Sequence, residues 1–195
     1  MRAFFAVELS DAVREALAGV RDSVISADPQ WRSATWVASE NLHVTVKFLG
    51  DIDEATASGL CDSLAWQLAC ELPPRLTFTG LRAVPGARRA RMLWATLDDE
   101  DGLLARVAAV VEVASPATDV ESGRRPFSPH VTLVRARRPM SMSEEPLKLA
   151  ENHLFTMLSA GRRAMSVPSI TLVRSTLTRN GPIYETISSI AVGSD

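Results

Sequence analysis

The alternation of apolar and polar positions predicts a chain built from short strands and amphipathic helices. Apolar residues at helical spacing follow Ser10, and they recur over 54–70 and 100–114. Runs rich in β-branched and apolar residues predict strands at 2–8, 42–49, 75–84, 90–97, 130–136, 169–178 and 183–191. Because strands and helices mix without a regular strand–helix alternation, we expect an α+β fold with mostly antiparallel sheets.

Polar residues mark where the first two helices begin. Ser10 and Asp53 are side chains that accept hydrogen bonds from the first N–H groups of a helix. The segment 139–165 is less regular, and a helix at 146–160 is compatible with Pro146 only if that residue lies in the first turn. Loops are predicted at 27–35 and 116–128.

The composition is that of an ordinary globular protein. The chain has 195 residues, of which 46% are hydrophobic and 23% are charged. No linker divides it, so we expect one domain over residues 1–195. No apolar stretch approaches the roughly 18 residues of a membrane span, and the N-terminus lacks the apolar region of a signal peptide. We therefore expect a cytoplasmic protein with no membrane partner.

The charge limits the kind of nucleic-acid binding that can be expected. A net charge of −2 argues against a protein that coats nucleic acid through many phosphate contacts. A single RNA end would need only a local basic patch. Arginines are concentrated near the second half of the chain at Arg88, Arg89, Arg91, Arg124, Arg125, Arg135, Arg137 and Arg138. Most of these are expected to be solvated surface residues.

A short pattern occurs twice in the chain. Leu-His-Val-Thr begins at position 42 and Pro-His-Val-Thr at position 129, and the two copies contain two of the three histidines. Because side chains alternate between the faces of a strand, His43 and Thr45 point to one side, as do His130 and Thr132. The opposite, buried faces are expected to carry Val44, Val46, Phe48, Val131 and Leu133. Two such strands facing one cleft would place two imidazoles and two hydroxyls around one substrate.

This set of side chains suits the cleavage of a cyclic phosphodiester without a metal ion. Such a reaction needs a base that activates water and an acid that protonates the leaving ribose oxygen. An imidazole titrates near pH 6.5, so one can be neutral while the other is charged. The threonine hydroxyls can donate hydrogen bonds to the non-bridging phosphate oxygens.

Other uses of the histidines were weighed against this one. One His-x-Thr in a strand is usually structural, whereas a second copy favours a function. A zinc site would need a third protein ligand, and no carboxylate or cysteine stands at a matching offset in both copies. His153 has no threonine two residues later and is expected to be a surface or helix residue.

These residues resemble the 2H phosphoesterase superfamily, which is named for its two His-x-Thr-x motifs. Within it, the chain is similar to the bacterial and archaeal RNA 2′,3′-cyclic phosphodiesterases, historically called 2′-5′ RNA ligases. The similar segments are 2–7, 41–50, 91–94, 127–135, 172–175 and 181–184. The segment 139–165 departs from the family because it looks longer and partly helical.

The resemblance implies a bilobal α+β fold in which two mostly antiparallel sheets line a central cleft, with helices on the outside. It implies hydrolysis of an RNA 2′,3′-cyclic phosphodiester end to a 2′-phosphomonoester. In the family's order of roles, His43 would donate a proton to the leaving 3′ oxygen, and His130 would accept one from water. Thr45 and Thr132 would hold the phosphate. The implied partners are RNA ends or small cyclic-phosphate nucleotides, with no obligate protein partner and no metal or organic cofactor.

Four further residues are candidates for substrate binding. Arg135 matches a family arginine that follows the second motif, but strict alternation puts it on the face opposite His130, so a bulge or the strand end would have to bring it back. Lys47 shares the face of His43 and could help to hold RNA. Phe5 and Tyr184 are candidates for stacking on a base. For the aromatic residues, plain packing is the alternative.

Two other functions remain open at this point. The same site could join RNA ends through a 2′-5′ bond or cleave 2′-5′ linked oligonucleotides, and the sequence does not separate these reactions from hydrolysis. A non-catalytic nucleotide-binding module would be expected to have lost at least one motif, and both motifs are intact.

Overall fold

The computed structural model describes residues 1–114, 127–159, 163–179 and 181–193. In these ranges the helices are α1 Asp11–Ala27, α2 Glu54–Leu68, α3 Leu103–Ala114 and α4 Glu144–Met157. The strands are β1 Arg2–Glu8, β2 Thr35–Trp36, β3 His43–Asp51, β4 Arg75–Val84, β5 Ala90–Asp99, β6 His130–Met140, β7 Ala164–Ser166, β8 Ser169–Thr178 and β9 Gly181–Ala191. The mixed helical and antiparallel fold expected from the sequence is confirmed.

The strands form one hydrogen-bonded sheet with two halves. The order is β7-β4-β5-β6-β3-β1-β8-β9, and β2 pairs with β6. The first motif lies in β3, in one half, and the second lies in β6, in the other half. The two strands meet through the antiparallel pairing of Val44 with Val131. The two sheets implied by the family resemblance are therefore halves of one sheet, joined at the middle residues of the two motifs.

Strand β2 opens the sheet next to this junction. It pairs with β6 at Thr35–Arg135 and Trp36–Val134, and the Val37 N–H donates to the Leu133 carbonyl at 2.9 Å. The other edge of β6 is occupied by β5. The edge of β6 that faces β3 is therefore shared between β3 and β2. The two halves diverge at this point, and a cleft forms between them.

The helices cover the face of the sheet that carries Val44 and Val131. Both valines belong to the main core together with the apolar sides of the helices. Helices α1 and α4 pack on each other, α4 also packs on β4, α2 packs on β9 and α3 packs on β3. The face that carries the histidines and threonines is left open. Within the described ranges, no helix has both the length and the apolar character needed to cross a membrane.

Most of the predicted elements are present, with small differences at their ends. Ser10 and Asp53 accept hydrogen bonds from the N–H groups of Val13 at 3.4 Å and Thr56 at 2.8 Å. The helix predicted at 146–160 begins two residues earlier, so Pro146 lies in its first turn, where no hydrogen-bonded N–H is needed.

Three short features differ from the predictions or lie beyond what is described. The predicted loop 27–35 contains a 3₁₀ helix at Pro29–Ser33. The three-residue strand β7 was not predicted. The loop predicted at 116–128 lies mostly outside the described residues.

The junction between the two halves can be tested through Val44, which is fully buried. Val44→Ala removes buried methyl groups and leaves a cavity, so we expect it to lower the free energy of unfolding by about 2 kcal/mol. The matched control is Val113→Ala, since Val113 is 84% exposed and its replacement should change stability by less than about 0.5 kcal/mol. Urea denaturation measures both. Equal stability of the two variants would contradict a tightly packed junction.

Candidate active site

The pairing of Val44 with Val131 fixes the positions of the two motifs relative to each other. In this antiparallel register His43 lies across from Thr132, and Thr45 lies across from His130. Side chains that are directly opposite have Cβ atoms about 5 Å apart and stand on the same face of the sheet. The four polar side chains therefore form one group on the open face, related by an approximate twofold axis through the valine pair.

The symmetry extends along both strands because each contains a β-bulge at the same place. In β3 the pairing with β1 skips Val46, and in β6 the pairing with β5 skips Leu133. Each skipped residue is the third after a motif histidine. All nine residues of β3 consequently follow the same order of burial as the first nine of β6. A bulge reverses the alternation of faces beyond it.

The bulges decide which later side chains reach the cleft. Arg135 returns to the face of His130 and lines the cleft, as one of the two alternatives for this residue required. In β3 the equivalent position is Phe48, which was expected to be buried but is 55% exposed and lines the cleft. Lys47 was expected on the face of His43, and this was wrong. The bulge at Val46 turns Lys47 to the helical side, where it forms an ion pair with Glu112 of α3.

The aromatic residues of β1 also differ from the prediction. Phe5 was a candidate for base stacking, but it is fully buried in the main core, so its ring is not accessible to a ligand. Its neighbour Phe4 points to the other side, where its ring lies 4.9 Å from that of His43. Tyr184 does line the cleft, with its ring edge-on to His43 at 5.3 Å.

The cleft between the halves is a cavity of about 230 Å³. Its lining residues come from both motifs, the chain before β3 and the β8–β9 turn: Thr35, Trp36, Val37, Ala38, Asn41, His43, Thr45, Phe48, His130, Thr132, Arg135, Gly181, Pro182 and Tyr184. In this lining set Arg135 carries the permanent charge, and none of the members is a carboxylate. Such a lining favours an anionic ligand.

Backbone hydrogen bonds orient both imidazoles in the same way. His43 Nδ1 lies 2.7 Å from the Asn41 carbonyl, and His130 Nδ1 lies 2.8 Å from the Ser128 carbonyl. A carbonyl oxygen only accepts hydrogen bonds, so each Nδ1 carries the hydrogen. The Nε2 atom of each ring is thus the atom that can gain or lose a proton. In the neutral form of His43, Nε2 accepts a hydrogen bond from the Thr45 hydroxyl at 3.0 Å.

Aromatic neighbours hold the flat faces of both rings. Trp94 of β5 stacks on His130 with ring centroids 3.7 Å apart and an interplanar angle of 20°. Arg82 of β4 lies over the Trp94 ring at 5.3 Å. Phe4 plays the corresponding part for His43, tilted by 32°. These contacts restrict rotation of the imidazoles, so each Nε2 keeps its direction.

Comparison with known proteins places this arrangement in a family. The model for LigT-like phosphoesterases matches residues 7–94. An RNA 2′,3′-cyclic phosphodiesterase of Aeropyrum pernix is 30% identical over 178 residues, which are 91% of this chain and 96% of that protein. The chain belongs to the LigT-like family of RNA 2′,3′-cyclic phosphodiesterases. The Geobacillus stearothermophilus member is 30% identical over 95% of this chain, and the match spans 55% of that longer protein.

The fold is also similar to that of a solved family member. E. coli LigT in its apo form is 25% identical, with a TM-score of 0.68, and the match covers 99% of this chain and 98% of LigT. LigT has also been crystallised with 3′-AMP, and that structure gives a TM-score of 0.67 at 24% identity. The likeness therefore covers both halves of the sheet.

Burial and positive charge act on both histidines of this LigT-like site. Burial lowers the pKa of His43 below its ordinary value of 6.5, the Asn41 hydrogen bond opposes this, and the charge of Arg135 lowers it further. Burial likewise lowers the pKa of His130, the Ser128 hydrogen bond opposes it, and Arg82 and Arg135 add to the lowering. Both imidazoles of the ligand-free protein are therefore mainly neutral at pH 7.

Three residues of the site could not be found from their own sequence pattern. Phe48 reaches the cleft because of a bulge, and Phe4 and Phe5 are adjacent aromatic residues that only the tertiary fold distinguishes. Trp94 lies in a segment that resembles the family, but its stack on His130 joins residues far apart in the chain. Among the described residues, no cluster of three or more His, Cys, Asp and Glu side chains is placed to hold a metal ion.

The influence of Arg135 on both histidines can be measured by NMR titration of the imidazole signals. We expect both pKa values to lie below 6.5 and both to rise in Arg135→Met, because loss of the cation favours the imidazolium form. In Arg82→Met, the rise should be confined to His130.

Arg32→Met provides the matched control, since Arg32 is an exposed arginine of the 3₁₀ helix before β2. It should leave both titrations unchanged. If Arg135→Met moved neither pKa, the guanidinium would not act on the two rings as described.

Proposed function

We propose that the protein hydrolyses RNA 2′,3′-cyclic phosphodiester ends to 2′-phosphomonoesters by two-histidine acid–base catalysis without a metal ion. The observation that carries the proposal is the convergence of both motifs on one cleft across the Val44–Val131 pair. A cyclic phosphate in this cleft would have an Nε2 atom on each side. The names of the relatives, which are RNA 2′,3′-cyclic phosphodiesterases, support the same substrate class.

The proposed reaction transfers two protons in opposite directions. His130, neutral, accepts a proton at Nε2 from the attacking water as the new P–O bond forms. The bond from phosphorus to the 3′ oxygen breaks, and that oxygen takes the Nε2 proton of His43. The product carries the phosphate on the 2′ oxygen and a free 3′ hydroxyl. Exchange with solvent then restores the two protonation states.

The contact between His43 and Thr45 supports the donor role for His43. In the neutral form the Thr45 hydroxyl donates to Nε2. Once Nε2 is protonated it can no longer accept, and the hydroxyl hydrogen becomes available to a phosphate oxygen. The protonated form of His43 is therefore also the form in which Thr45 can bind phosphate. Thr132 and Arg135 supply a hydroxyl and a charge to the remaining non-bridging oxygens.

The catalytic roles predict large losses of activity on substitution. In the presence of EDTA, a short RNA with a 2′,3′-cyclic phosphate should be converted to a 2′-phosphate. His43→Ala and His130→Ala should each lower kcat by at least about 100-fold, because each removes one proton transfer. His153→Gln is the matched control, since His153 lies in α4, where it packs against Gly19 of α1, and its kcat should stay near that of the wild type.

Either histidine variant retaining kcat within a few fold of the wild type would contradict the proposal. So would a folded wild-type protein that leaves the cyclic phosphate intact but cleaves 2′-5′ linked oligonucleotides. Circular dichroism of each variant separates loss of chemistry from loss of structure.

The pH dependence follows from the lowered pKa values of both histidines. The active form has one neutral and one protonated imidazole, and its population is greatest between the two pKa values. Since both lie below 6.5 in the ligand-free protein, kcat/KM should be bell-shaped with its maximum below pH 6.5. It should fall at higher pH because the imidazolium is lost. A profile that is flat from about pH 5 to 8 would contradict paired histidine catalysis.

A further inference from the structure

The exposed ring of Phe48 is a feature that the acid–base chemistry does not use. Phe48 lies in the interior of β3, yet it is 55% exposed on the cleft face. Regular alternation from His43 would have buried it on the helical side. The bulge at Val46 turns it outwards, and this bulge interrupts the ladder between β1 and β3. Bulges of this kind commonly re-aim a side chain next to a functional site.

The ring of Phe48 is supported from behind and open in front. Phe4 packs against it with ring centroids 5.5 Å apart, inclined by 47°. Phe4 is itself 2% exposed, and its ring also contacts His43 and Tyr184. Phe48 is therefore the exposed end of a packed aromatic row that begins at the catalytic imidazole. A ligand held at His43 would have the open surface of Phe48 within the reach of one nucleoside.

The two halves of the cleft differ at this position in a way that suits a nucleotide. The bulge in β6 places Arg135 at the position equivalent to Phe48. One half thus presents a cation, which suits phosphate, and the other presents an aromatic surface, which suits the flat face of a base. Tyr184 stands edge-on to both Phe4 and His43, so it forms a side wall of the same half.

We propose that Phe48 is the stacking platform for the base of the terminal nucleoside, with Phe4 as its buried support. This inference rests on the proposed function, because it takes the occupant of the cleft to be a nucleoside phosphate. Stacking on an aromatic ring tolerates every base, so the site would favour nucleosides over sugars without selecting strongly among the four bases.

The test compares the binding of adenosine 2′-monophosphate and methyl riboside 2′-monophosphate by calorimetry. The two ligands share the phosphate and the ribose, so the ratio of their Kd values isolates the base. The wild type should bind the adenosine ligand at least about 5-fold more tightly, as expected for one base–aromatic stack. Phe48→Leu should bring the ratio close to one, whereas Phe48→Tyr should preserve it.

Trp66→Leu is the matched control, because Trp66 is an aromatic residue of α2 that is 84% exposed and is absent from the cleft lining. It should keep the wild-type ratio. A Phe48→Leu ratio equal to that of the wild type would overturn the inference, as would equal binding of both ligands by the wild type. Since binding needs no turnover, failure of the proposed hydrolysis would appear separately, as absent conversion of the cyclic phosphate.

Discussion

The antiparallel pairing of Val44 with Val131 is the constraint on which the site depends. It joins the two halves of the sheet, and it sets His43 against Thr132 and Thr45 against His130. Both valines are fully buried among the helices. Because each valine is the middle residue of its motif, burying it holds the flanking polar side chains on the opposite, open face. Packing on one side of the sheet thus positions the chemistry on the other.

The matching bulges give the two motifs a shared shape and different functions. Val46 and Leu133 are skipped at equivalent places, so the strand turns over in the same way after each motif. The residues that then face the cleft are Phe48 in one half and Arg135 in the other. The twofold arrangement therefore supplies two similarly oriented imidazoles, while the side chains beyond the bulges make the cleft asymmetric, as a nucleotide is.

The sequence predicted those parts of the structure that depend on local spacing. His43 and Thr45 were found because a two-residue period is visible along the chain, and the helix caps Ser10 and Asp53 for a similar reason. The errors at Lys47 and Phe48 come from the Val46 bulge, which shifts the period without leaving a local signal. Phe5 was misassigned because adjacent phenylalanines differ only in which face the core covers, and that is decided by strands distant in sequence.

The central claim is that both motifs form one phosphate site, and a titration tests it most directly. Adenosine 2′-monophosphate would be added to the protein while the imidazole signals of His43 and His130 are followed by NMR. The account predicts that both signals move with one shared midpoint at one ligand per chain, and that both pKa values rise because the bound anion favours the imidazolium form. Movement of one histidine alone, or two separate midpoints, would contradict it.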